Sequence, residues 1–109
     1  MIKYGSDRIE ELKFASFKTL IERRNEQWID INLVPQLSPD SAELPTDLID
    51  FSILVICNHS GVIAQMVPQD IGCDCEYQLT FSEKEQVKAW ITTETVQSQI
   101  KLAAELSGE

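Results

Sequence analysis

The sequence predicts an α+β domain in the order α-β-β-β-β-α, a four-stranded antiparallel meander flanked by N- and C-terminal helices on one face. Three observations predict it. Apolar residues recur at three- and four-residue spacing before residue 25 and after residue 82, the period is two in between, and most connections are too short for parallel crossovers. A chain of 109 residues with 43% apolar and 25% charged side chains, four Gly and four Pro fits a single globular domain over 1–109.

The first helix is expected over residues 6–25. Ser6 or Asp7 caps it, Asp7, Glu10 and Glu11 fill its opening turns, and Arg23 and Arg24 close it, as the helix dipole favours. Ile9, Leu12, Phe17, Leu20 and Ile21 supply its apolar stripe. The period then changes: Ile29, Ile31 and Leu33 alternate with Asp30 and Asn32, giving a strand that Pro35 stops. Residues 35–46, with three prolines, form a long connection.

Residues 51–57 read as a strand apolar on both faces, and Asn58-His59-Ser60-Gly61 as a turn with Gly61 free to adopt positive φ. Residues 62–67 complete that hairpin up to Pro68, a second turn contains Gly72, and Cys75, Tyr77, Leu79 and Phe81 alternate with Glu76, Gln78 and Thr80 as the clearest strand. Ser82 and Glu85 have the spacing of a capping box that opens the C-terminal helical region. Its stripe runs through Val87, Trp90 and Ile91, slips in phase at 92–95, and resumes with Val96, Ile100, Ala103 and Ala104, so one bent helix or two short ones follow, ending at Gly108.

Charge is the most informative feature. All nine basic residues lie outside residues 25–82, whereas that span holds Glu26, Asp30, Asp40, Glu43, Asp47, Asp50, Asp70, Asp74 and Glu76, so the net charge of -9 resides there. Such a surface attracts basic partners and repels nucleic acid and anionic membranes. Two helices on one face of a sheet also leave the other face apolar and open, to be covered by the 35–46 loop, by a second copy or by another protein.

The expected function is a non-catalytic acidic protein-binding module, a small inhibitor, immunity or accessory protein. It engages a basic protein, for example one that itself binds nucleic acid, through an acidic β-face that includes Asp30, Asp47, Asp50, Asp70, Asp74 and Glu76. One alternative is a self-associating structural subunit, such as a homodimer. The other is a metal- or thiol-dependent enzyme, for which Cys57, His59, Cys73 and Cys75 are the candidates. Their spacing differs from that of zinc sites, and successive turns of a meander lie a strand length apart. No cofactor, direct nucleic-acid contact or membrane span is expected. The polar N-terminus and the odd number of cysteines, three, point to a cytoplasmic setting.

Overall fold

The structure is a computed structural model that describes residues 1–106. Its elements are β1 (Ile2–Lys3), β2 (Phe14–Arg23), β3 (Trp28–Leu37), β4 (Phe51–Asn58), β5 (Ile63–Asp70), β6 (Cys73–Asp74), β7 (Tyr77–Gln78), α1 (Phe81–Ile91) and α2 (Glu94–Leu106). Strands β2-β3-β4-β5-β6 form one antiparallel sheet in that order, and β1 pairs with β7 in a second, two-stranded sheet. This corrects the four-stranded meander between two helices: the main sheet has five strands, and both helices follow it.

The predicted helix over 6–25 is replaced by an irregular segment over residues 6–13 and by β2. In β2, Phe17, Thr19 and Ile21 point to one face and Lys18, Leu20 and Glu22 to the other, and the strand pairs with β3 from Phe14↔Leu37 to Arg23↔Ile29. Apolar Leu20 on the outer face, together with a β-bulge at the start of the strand, conceals this alternation. Between Phe14 and Ser16 the strand advances two residues while β3 advances one, so the extra residue shifts the phase. Phe14 therefore contacts Phe17, ring centroids 5.0 Å apart, at an odd spacing that resembles a helical stripe.

Two further boundaries move. Pro35 lies inside β3, because beyond Leu33 that strand pairs with β2 and no longer with β4, and an unpaired edge tolerates the missing N–H. The expected strand over 75–81 splits: Tyr77 and Gln78 pair with β1, and the chain enters α1 at Phe81, which is exposed. The capping box is Thr80 with Glu83 rather than Ser82 with Glu85. Glu83 is drawn inward because its carboxylate accepts hydrogen bonds from the backbone N–H of Thr80 at 2.8 Å and of Leu12 at 2.9 Å, and from the α-ammonium of Met1 at 2.6 Å. Two helices follow, and the expected end at Gly108 lies outside the described residues.

The core sits between one sheet face and the helices. Phe17, Ile29, Ile31, Leu33, Phe51, Ile53, Val55 and Cys57 from the sheet meet Val87, Ile91, Val96 and Ile100 from the helices. Trp90 stacks at a tilt on Phe17, centroids 5.5 Å apart, and its indole N–H donates to Thr19 Oγ1 at 3.0 Å. The 38–50 connection joins the same side, with Ala42, Leu44 and Leu48 against that core. It therefore leaves the opposite sheet face open. No helix among the described residues is long and apolar enough to cross a membrane.

Candidate functional site

The sheet has two unlike ends, and the molecule extends 47 Å along its longest axis. At one end the tight turn between β5 and β6 has both central residues at positive φ, Ile71 at 53° and Gly72 at 75°. That combination matches the twist of a two-residue hairpin, but Gly accepts it freely and a β-branched Ile does not. Ile71 is held there by its neighbours: its N–H donates to the carbonyl of Asp50 at 3.0 Å, while Asp70 Oδ1 accepts from Ile49 N–H at 3.0 Å and Asp50 N–H at 2.7 Å.

This network ties the backbone of two isoleucines to the same pair of aspartates and leaves both side chains in water. Ile49 is 80% and Ile71 59% exposed. Asp50 and Asp74 belong to the same turn and Glu76 follows it; none of the three forms an ion pair among the described residues, although the charge of Glu76 acts on Lys3. Asp74 is joined to Gln69 Nε2 at 3.3 Å, and Glu76 offers its backbone carbonyl to Tyr4 N–H at 2.7 Å. Exposed apolar residues with acids at the same turn have the anatomy of a binding patch.

Of the six residues predicted to bind a partner, the structure brings Asp50, Asp70 and Asp74 together at this turn, while Asp47 and Glu76 lie against the N-terminal segment. Asp30 lies elsewhere, on β3 toward the opposite end, where Arg24 Nε donates to it at 2.7 Å and the carboxylate in turn raises the Arg24 pKa. Asp47 is also matched: Tyr77 Oη donates to it at 2.6 Å and Lys3 Nζ at 2.9 Å, and these bonds hold its carboxyl below the usual carboxylate range. Lys13 reaches Asp40 at 3.1 Å, and Ser38 and Lys13 lower the Asp40 pKa. The acids are thus neither a carpet over one sheet face nor uniformly unmatched. Cations of the N-terminal segment neutralise three of them; of the others, Asp50, Asp70 and Asp74 lie at the Ile71 turn, whereas Glu26 is in the β2–β3 turn at the opposite end and Glu43 in the 38–50 connection. Sequence reasoning missed both isoleucines; the isolated apolar residue beside Gly72 was the available signal.

A cleft of about 610 Å³ opens between the N-terminal segment and residues 42–47. Part of its polar lining is engaged internally, since Lys3 and Tyr77 both donate to Asp47. The cysteines and histidine are divided between the two ends. Cys57 and His59 flank the β4–β5 turn, whereas Cys73 and Cys75 follow the far end of β5. Burial and the charge of Asp30 push the Cys57 thiol up to about 11, and His59 Nε2 lies 3.0 Å from the carbonyl of Asn25. Among the described residues no three His, Cys, Asp or Glu side chains converge as metal ligands.

Comparison with protein-family models, with curated proteins and with solved structures found no match to this chain.

Proposed function

We propose that this protein is a non-catalytic binding module that recognises a basic protein surface through the acidic end of its sheet. One observation carries the reading: Ile49 and Ile71, 80% and 59% exposed, are both tied by their backbone N–H groups to Asp50 and Asp70 at the turn where Asp50 and Asp74, without an ion pair among the described residues, also stand. The isoleucines supply apolar area for the centre of an interface, and the carboxylates supply a rim that steers a cationic partner and excludes anionic ones. An inhibitor or accessory subunit of a basic protein needs no more chemistry than this.

Asp70 anchors the backbone of residues 49 and 50, so the informative variant leaves it intact. The triple reversal Asp50→Lys, Asp74→Lys and Glu76→Lys changes only exposed side chains. Capture from a lysate at low and high ionic strength, read by mass spectrometry, is expected to return basic proteins that are lost at high salt and lost with the triple variant. Partners that are the same for both proteins overturn the proposal, provided circular dichroism shows the variant folded.

A further inference from the structure

The second unexplained surface is the sheet face that neither the helices nor the 38–50 connection covers. The strand register fixes what stands on it. Across the middle runs the row Leu20, Asn32, Leu54 and Val67, with Ile56 and Val34 beside it. Leu20 is 56% and Val34 42% exposed. Leu20, Val34, Leu54, Ile56 and Val67 thus give this face an apolar character, interrupted by Asn32 and bordered by Ser52, Gln65 and Gln69.

The charges on this face differ from those at the acidic end. Lys18 and Glu22 stand on either side of Leu20 along β2, about 13 Å apart at the rise of a strand, too far to pair with each other. Glu22 moreover sits directly across from Asp30, a like-charged cross-strand pair that is unfavourable unless cations reach it. Arg24 serves Asp30, and neither Lys18 nor Glu22 has an ion-pair partner among the described residues.

We propose that this face binds a second copy of the chain, sheet against sheet, about a two-fold axis lying along the Leu20–Asn32–Leu54–Val67 row. That axis reverses the strand direction. It places Leu20 near Leu20 of the other copy, and it sets Lys18 of each copy opposite the Glu22 and Asp30 pair of the other, so both unmet charges find partners twice. Apolar side chains from the two copies interdigitate as in a β-sandwich, with sheets about 10 Å apart. Because the strands run in opposite directions, the two acidic ends fall at opposite extremities of the dimer. A two-fold axis parallel to the strands would instead crowd them together and leave Lys18 away from Glu22.

Sedimentation equilibrium and light scattering on the full chain test this. The expected mass is twice 12.4 kDa at micromolar concentration. Leu54→Lys or Val67→Lys, on inner strands, is expected to give a folded monomer by circular dichroism. Lys18→Glu and Glu22→Lys are each expected to weaken self-association by about tenfold or more, and the double reversal to restore it, since opposite charges then face each other again across the axis. A monomeric wild type overturns the proposal, including one that instead captures a different protein through this face. So does a dimer that survives Leu54→Lys and Val67→Lys, because edge-to-edge pairing through β2 would be insensitive to both. Failure of the double reversal to restore the dimer overturns the assigned axis.

Discussion

Replacing Glu83 by Ala tests how the N-terminal segment, the β7 exit and α1 are joined. The side chain is fully buried and accepts from three donors on three separate parts of the chain: the Thr80 N–H, the Leu12 N–H and the Met1 ammonium, which also donates to the carbonyl of Glu10. Removing one partner of a buried charge pair costs about 3–5 kcal/mol, against a total of about 5–15 kcal/mol for a domain of this size. The midpoint of thermal unfolding should fall by roughly 12–20 °C at about 4 °C per kcal/mol. Glu83→Gln keeps the shape but turns one acceptor into a donor facing donors, so it should fall in the same range. Glu85→Ala, at an exposed position, should stay within about 0.5 kcal/mol. Urea unfolding followed by circular dichroism measures all three. A loss below about 1 kcal/mol for Glu83→Ala, or a larger loss for Glu85→Ala, refutes the buried anchor and returns the cap to Ser82 and Glu85.

Ile71→Asn should stabilise the fold by about 1 kcal/mol in the same urea assay, because Asn tolerates the left-handed conformation that Ile71 occupies at φ 53°. Gly61→Ala should destabilise by at least about 1 kcal/mol, since φ is 83° and the Gln97 amide occupies the space of an added Cβ; Gln97→Ala should relieve only the steric part. Tyr77 ionisation is pushed up to about 12 by burial and by Asp47, so its contribution is present below the ordinary value of 10.0 and lost as pH rises toward 12. Absorbance at the phenolate band should show a late component that Tyr77→Phe removes. Asp47 works in the opposite direction: its contribution is present above the ordinary value of 3.8 and lost as pH falls through its lowered folded value, so Asp47→Asn should flatten the acid side of the stability profile.

Much of the sheet was legible because residues 29–33 alternate and residues 51–57 form a short apolar, β-branched run. Both read as strands, and the 58–61 turn with Gly61 at positive φ reads from its residue types. The phase slip after Ile91 likewise marks the break between α1 and α2. What failed shares a cause: the deciding contact comes from far along the chain. Leu20 on the open face, between Phe17 and Ile21 on the core face, mimics a helical spacing, and only pairing with β3 decides between the two periods. Thr80-x-x-Glu83 and Ser82-x-x-Glu85 fit the same capping pattern, and Glu83 prevails because Leu12 N–H and Met1 need an acceptor. The absence of cations over 25–82 was likewise readable. The return of Lys3, Lys13 and Arg24 to three of those acids was not, because it depends on the N-terminal segment being strand rather than helix.

That redistribution changes what the net charge means. With Asp30, Asp40 and Asp47 paired, the acids of the β-rich segment are no longer uniformly unmatched, and Asp50, Asp70 and Asp74 form the group of them gathered at one end of the sheet. The open face, by contrast, carries Lys18 against Glu22, so a second copy can approach without facing the field of that group. The strain at Ile71 belongs to the same logic. A hairpin selected only for stability favours Asn or Gly at φ 53°, and an exposed isoleucine costs folding energy there without filling any core space. Its position, hydrogen-bonded to Asp50 and tied with Ile49 to the same pair of aspartates, makes sense where apolar area is needed outside the fold. On this account Ile71→Asn separates the two roles, yielding a more stable protein that captures the basic partner more weakly, whereas Leu54→Lys should leave that capture unchanged while separating the copies.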